Sequence, residues 1–220
     1  MNVAGKIYTN SGNGPVLARV PSGARVVLDV GCGAGDNARA LHALGCLVDG
    51  ITLSEQEAVL ARPACRAVHI FNLEQGLPEG LAGDYDCALC SHVLEHICWP
   101  ELLLADLHKK LAQKTGCLII ALPNVFYYRQ RWQLLRGRFD YAESGLMDNT
   151  HFRWYSLDSA RQLLEKNQFQ VLDAIGEGNF PQWPLRRLWP SVAKRIDRLA
   201  TAKFPGLFAW QLLLIARPRV

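Results

Sequence analysis

The feature that most constrains this chain is Val27-Leu-Asp-Val-Gly-Cys-Gly-Ala-Gly35. Arg25–Val30 is a short β-branched run, and it ends in three glycines at alternate positions, Gly31, Gly33 and Gly35. A helical pattern follows at once from Asp36 to Leu44, with Ala38, Leu41 and Leu44 three residues apart and Asp36 or Asn37 as its cap. A strand that turns through glycines straight into a helix is the opening unit of an α/β sheet. It is also where such sheets hold a ligand against a helix N-terminus.

The unit repeats along the chain. Cys46–Leu53 reads as a second strand, and Ser54-Glu-Gln-Glu57 opens a second helix with a capping-box pattern. Arg66–Phe71, Tyr85–Cys90 and Cys117–Leu122 read as strands three to five, the last stopped by Pro123, with helix Glu101–Leu111 before it. Helix Ser156–Asn167, strand Phe169–Ile175 and a last apolar strand Ala209–Ala216 follow. Strands alternating with helices predict a parallel sheet covered on both faces by right-handed crossovers. One domain over residues 1–220 is expected, with 1–24 as a polar lead-in, 124–155 as an insert and 180–205 as a basic insert before the last strand.

Composition supports a folded chain: half of the 220 residues are hydrophobic and a fifth charged. The longest apolar stretch, Leu207 to Ala216, is interrupted by Gln211 and is too short to span a membrane. No basic-then-apolar leader is seen, so a cytoplasmic protein is expected. The net charge of +4 is uneven, since residues 1–123 sum to −3 and residues 124–220 to +7. Seven cysteines, an odd number, argue against a disulfide framework. Cys87 and Cys90 form a C-x-x-C near His92, His96 and Cys98. On a strand, however, Cys87 and Cys90 point to opposite faces, so no metal ligands are assigned.

The glycine loop excludes two common ligands. Asp36 stands where a dinucleotide fingerprint has its third glycine, and a carboxylate there repels a pyrophosphate. No G-K-[ST] is present, so a P-loop fails as well. Asp29, just before the turn, suits the cationic end of a ligand instead. Here the chain resembles the class I S-adenosylmethionine-dependent methyltransferases, whose first motif is an acidic residue followed by Gly-Cys-Gly-x-Gly. The resemblance implies a Rossmann-like, mostly parallel seven-stranded sheet with an antiparallel last strand. It also implies S-adenosylmethionine as cofactor, S-adenosylhomocysteine as product, and a cofactor site that includes Asp29, Gly31, Gly33 and Gly35.

Further marks of the family fall in register. Gly50-Ile-Thr-Leu-Ser54 ends the second strand where the family has an acidic residue on the ribose hydroxyls; here Thr52 and Leu53 stand there, with Glu57 or Gln56 one turn later to compensate. Asn72-Leu73 takes the adenine position, and Ser91-His-Val-Leu-Glu-His96 closes the fourth strand as the floor between cofactor and acceptor. For His92 and His96, helix-start packing weighs as much as catalysis.

The insert holds nine aromatic residues and five arginines between Asn124 and Tyr155. With Arg136-Gly-Arg-Phe-Asp-Tyr141 and Leu146-Met-Asp-Asn-Thr-His-Phe-Arg153, it resembles a subgroup that includes polysaccharide-cluster methyltransferases and MetW-like proteins. Leaving the fifth strand on the rim of the glycine loop, it is expected to form a lid over the acceptor pocket. Aromatic faces and arginine forks suit an anionic or saccharide acceptor, such as a nucleotide- or lipid-linked sugar, against the plainer reading of an insert packed on itself. His151, with Asp148 nearby, is the first candidate base and His92 the second.

The resemblance also carries an alternative: a MetW-like, non-catalytic or weakly catalytic partner in methionine biosynthesis. Leu185, Leu188, Trp189, Val192, Ile196 and Leu199 lie at near-helical spacing among basic residues, a stripe that suits packing on the sheet edge ahead of contact with an anionic membrane. Nucleic acid is not expected, because no binding module is present and the pI is a mild 8.7.

Overall fold

The computed structural model describes residues 11–112 and 115–219, leaving aside the side chains of Trp183 and Pro184. One sheet contains β1 (Val26–Val30), β2 (Leu47–Thr52), β3 (Ala67–Ile70), β4 (Cys87–Ser91), β5 (Cys117–Pro123), β6 (Phe169–Gly178) and β7 (Ala209–Pro218). Their order is β3-β2-β1-β4-β5-β7-β6. Strands β1 to β5 pair in parallel, and β7 runs antiparallel to both β5 and β6. This is the doubly wound, mostly parallel sheet with an antiparallel last strand that the sequence implies. The chain steps outward from β1 to β3 and then returns to place β4 on the other side of β1. At such a reversal of strand order a crevice opens beyond the carboxyl ends of the strands.

Each central strand feeds two cores. Val27, Cys87 and Leu89 face one, while Leu28, Val30, Ala88 and Cys90 face the other. Cys87 and Cys90 therefore lie on opposite faces of the sheet, as their spacing predicts, and all seven cysteines are free thiols. The first core is covered by Ala38 and Leu41 of α2 (Asp36–Ala43) and by Val16 of the short α1 (Gly14–Leu17). The second is covered by Leu103, Leu104 and Leu107 of α4 (Pro100–Lys110) and by Ala160 and Leu164 of α6 (Leu157–Lys166). Away from the crevice, buried Asp49 takes two hydrogen bonds from Arg66, at 2.9 and 2.5 Å, and one from the Tyr85 hydroxyl at 2.7 Å. Burial alone would raise its pKa, but Arg66 and Tyr85 hold it below the ordinary carboxylate value.

The lead-in differs from expectation. Residues 1–10 lie outside the described residues, but from Asn13 onward the segment belongs to the fold. A proline in the first turn starts α1, and Val16 is fully buried.

Beyond β5, α5 (Tyr128–Leu135) leads into irregular chain that an isolated bridge between Ala142 and Asp148 holds together. The last connection carries α7 (Trp183–Leu188), α8 (Pro190–Lys203) and α9 (Pro205–Phe208). Helix α8 is packed, but not through the apolar stripe read from the sequence. It buries Ala193, Asp197 and Thr201, while Trp189, Val192 and Leu199 are exposed. The buried Asp197 explains the difference, since its carboxylate takes hydrogen bonds from Arg186, the Gln182 side chain and the Phe180 amide. No helix among the described residues is long and apolar enough to cross a membrane.

Candidate active site

The glycine loop lines the crevice at β1. Gly31, Gly33 and Gly35 have φ of +72°, +52° and +85°, the left-handed region that a Cβ penalises. A Cβ on Gly31 would come 2.6 Å from the Val93 side chain, and one on Gly35 would come 2.8 Å from the Ala61 backbone. The first glycine thus admits the loop after β4. The third lets the end of α3 (Glu55–Ala61) pack against the start of α2.

Asp29 lies beneath this turn, fully buried, and neither carboxylate oxygen has a hydrogen-bond partner among the described residues. Burial raises its pKa to about 7, with Asn37 holding it down slightly and the charge of Asp36 adding to the rise. A buried carboxylate with two empty acceptors is costly unless a donor arrives. A cationic ligand end brings both donor and charge, so these residues fit S-adenosylmethionine.

At the end of β2, Thr52 is buried and its hydroxyl donates to Glu57 Oε2 at 2.6 Å. Helix α3 brings Glu57 there because Ser54 caps its start by accepting from the Glu57 amide. A carboxylate one turn into the next helix thus lies against the end of β2. Leu53 beside it is 45% exposed, an apolar face left open on the rim. At the end of β3, the Asn72 side-chain oxygen accepts from the Glu74 amide at 3.1 Å and caps a single 3-10 turn, Leu73–Gln75, while Leu73 packs against the core. At the end of β4, Ser91 Oγ accepts from Asn13 Nδ2 at 3.0 Å, and the same amide donates to Gln211 Oε1 of β7 at 2.8 Å.

A second cluster follows Ser91. His92 has φ of +58°, strained for a residue with a side chain. Its Nδ1 faces Glu95 Oε1 at 3.1 Å and its Nε2 faces Gln211 Oε1 at 2.7 Å. Both ring nitrogens are thus taken up by protein partners. Burial alone would lower the pKa, but Glu95 and Gln211 outweigh it and hold the pKa above the ordinary value. His92, expected as the second base, has no ring nitrogen free for an acceptor's proton among these contacts.

His151 comes from the insert. The Phe152 and Arg153 amides donate to the Glu95 carbonyl at 2.8 and 3.1 Å, which clips this segment to the turn after β4. His151 then stacks edge-on against His96, with ring centroids 4.6 Å apart, and against Trp154 at 5.1 Å. Its Nδ1 is buried without a partner among the described residues, and burial lowers its pKa, so the ring is neutral at pH 7. The Oδ1 of nearby Asp148 serves Thr150, taking its hydroxyl at 2.7 Å and its amide at 2.9 Å.

The insert's arginines are largely engaged within it or just beside it. Arg129 donates to the Tyr128 hydroxyl, Arg131 to the Phe126 carbonyl and Arg153 to the Cys98 carbonyl, and Arg136 lies 4.6 Å over the Trp132 ring.

Three site residues escaped sequence reasoning. Asn13 lay in a segment read as lead-in, and Glu95 was overlooked between two histidines. Gln211 carried a signal: it is the one polar side chain within Ala209–Ala216. A polar group in a fully buried strand needs a partner, and His92 and Asn13 are those partners.

A family model described as "Methyltransferase domain" matches residues 13–174, well over half of the chain. Two curated relatives, each called ubiquinone biosynthesis O-methyltransferase, come from Thiobacillus denitrificans and Glaesserella parasuis. They are 32% identical over 100 residues and 29% identical over 107 residues. Those matches cover 41% and 44% of this chain, and it spans only 41% and 45% of the relatives' length.

Among solved structures, a SAM-dependent methyltransferase from Archaeoglobus fulgidus superposes with a TM-score of 0.64 at 19% identity, over 92% of both chains. An S-adenosylmethionine-dependent methyltransferase from Mesorhizobium loti gives 0.61 at 21% identity, over 92% of this chain and 96% of the other. A magnesium protoporphyrin IX methyltransferase from Synechocystis with bound S-adenosylhomocysteine gives 0.58 at 18% identity, over 93% and 78%. With the domain matched and the sheet, glycine turn and buried acid in place, the chain belongs to the class I S-adenosylmethionine-dependent methyltransferases.

Proposed function

We propose that this protein transfers the methyl group to a hydroxyl oxygen of a small ring-bearing acceptor, which is brought against Glu95, His96 and His151. The observation that carries the reading is a pair of buried acceptor atoms without partners, Glu95 Oε2 and His151 Nδ1, at the carboxyl end of β4. An incoming hydroxyl is a donor and satisfies such a site. The names of the curated relatives, which act on oxygen, support the same choice.

When bound, S-adenosylmethionine supplies an already activated methyl group, so the protein's part is alignment and removal of one proton. Asp29 and the glycine turn hold the cationic end, and Glu57 with Thr52 holds the ribose hydroxyls. Leu53 and Leu73 flank the adenine, with Asn72 at its edge, and Ser91 stands on the floor between cofactor and acceptor. His92 fixes Glu95 through its Nδ1. Phe152, largely exposed, and Trp154, edge-on to His151, offer faces to an acceptor ring. A saccharide is the ring this reading prefers.

The alternative of a non-catalytic, MetW-like partner rests on the resemblance of the insert; Glu57, bonded to Thr52, favours the catalytic reading by offering a carboxylate near the end of β2. The test is His151→Ala in a methyl-transfer assay against a panel of sugar and phenol acceptors. Turnover falls about 10²–10⁴-fold, the range for losing a proton-handling group, with unchanged S-adenosylmethionine affinity. Unchanged turnover removes His151 from the chemistry.

A further inference from the structure

The same cluster has the composition of a metal site. Glu95, His96 and His151 each offer one donor atom, and the three atoms lie within 4.8 Å of one another. Glu95 is 0% exposed and its Oε2 has no partner among the described residues, although Oε1 is held by His92. An unpartnered carboxylate oxygen at that depth points to a missing cation.

The tautomer of His96 points the same way. Its Nδ1 lies 3.2 Å from the Thr150 carbonyl and 3.0 Å from the Thr150 hydroxyl oxygen. That hydroxyl spends its own proton on Asp148. Nδ1 must therefore be the protonated nitrogen, and Nε2 keeps its lone pair. A ring N–H anchored on a backbone carbonyl is how proteins orient a metal-binding imidazole. His151, with its buried Nδ1 unpartnered among the described residues, meets the remaining requirement.

We infer that Glu95, His96 and His151 bind a divalent transition metal, zinc first, with a position left open for the acceptor hydroxyl. Two imidazoles and one carboxylate suit zinc or ferrous iron and disfavour magnesium or calcium, which take oxygen donors. Donors on a tetrahedral zinc stand about 3.3 Å apart, so atoms that lie within 4.8 Å of one another close by at most about 1.5 Å on binding. His92, bonded to the other oxygen of Glu95, is a positioning residue.

The inference rests on the reading that an acceptor hydroxyl reaches this cluster, and it changes what handles the charge there. The hydroxyl proton leaves to solvent, the oxygen lone pair forms the new O–C bond and the C–S bond breaks, releasing S-adenosylhomocysteine. The cation's part is to hold the negative charge on that oxygen.

The test begins with chelator-stripped protein titrated with Zn²⁺ by calorimetry and with Co²⁺ by visible absorption. One equivalent of Zn²⁺ is expected, with a Co²⁺ spectrum that lacks a thiolate charge-transfer band. Glu95→Gln and His151→Ala should each weaken Zn²⁺ binding at least tenfold while leaving S-adenosylhomocysteine affinity intact, which shows that the fold survives. No stoichiometric binding, unchanged affinity in both variants, a thiolate band from the cysteines, or full turnover in chelator overturns the inference. Stripped protein that still binds S-adenosylhomocysteine keeps the cofactor site whatever the metal result. Metal binding as expected, without transfer to any hydroxyl acceptor, overturns the proposed reaction and not the site.

Discussion

Replacing Asp29 with asparagine should make the ligand-free protein more stable and the cofactor complex weaker, and the gain should depend on pH. In the unfolded chain this carboxyl titrates near 3.8, and in the folded, empty site near 7. At ~1.36 kcal/mol per pH unit that difference penalises the charged form by about 4 kcal/mol. The sign follows from the raised folded-state value. Below pH 3.8 both states carry the proton and folding loses nothing. As pH rises toward 7 the unfolded chain sheds its proton first, so stability falls, and above 7 the full penalty applies. The amide of the Asp29→Asn variant carries no such charge. The variant's advantage should therefore grow by about 2–3 kcal/mol between pH 5 and pH 8, equivalent to roughly 5–10 °C in melting temperature for a chain of this size. Urea unfolding of both proteins at the two pH values measures this directly, since groups common to both cancel in the difference. An advantage that does not change with pH, or that shrinks as pH rises, refutes the argument that Asp29 is a buried, unpaired acid awaiting a cation.

Glu57→Gln should lower S-adenosylmethionine affinity about 10–100-fold, the range for losing a charge-assisted hydrogen bond, with little change in melting temperature. Equal affinity by calorimetry would take Glu57 out of the cofactor site and return the ribose to Thr52 alone. Gly33→Val places a β-branched residue at φ +52° in the turn, and cofactor binding should be lost; undiminished binding would overturn the glycine-loop assignment.

The sheet was legible because its signals are local. Period-two apolar runs, the glycine turn and capping residues such as Ser54 and Ser156 act within a few residues of each other, so strands and helices fall close to where the sequence puts them. The strand-end positions of the proposed cofactor site were legible for the same reason: Asp29, Thr52, Asn72 and Ser91 close β1 to β4 or lie next to their ends. What local pattern does not encode is which distant segment comes to lie on that rim. Asn13 reaches Ser91 across 78 residues and Gln211 across 198. Glu95 and His151 meet only because two amides of the insert bond one carbonyl after β4. The face of α8 was misread because burial there is decided by a polar network around Asp197, and hydrophobic periodicity does not register such a network.

Asp29 and the glycine turn are proposed to hold the cationic end of S-adenosylmethionine. Calorimetry of the wild-type protein with S-adenosylmethionine near pH 6.5, in two buffers of different ionisation enthalpy, tests it most directly. One equivalent should bind with release of a proton, because the arriving cation ionises an acid that is still partly protonated at that pH. Binding without proton release, or no binding at all, contradicts the account.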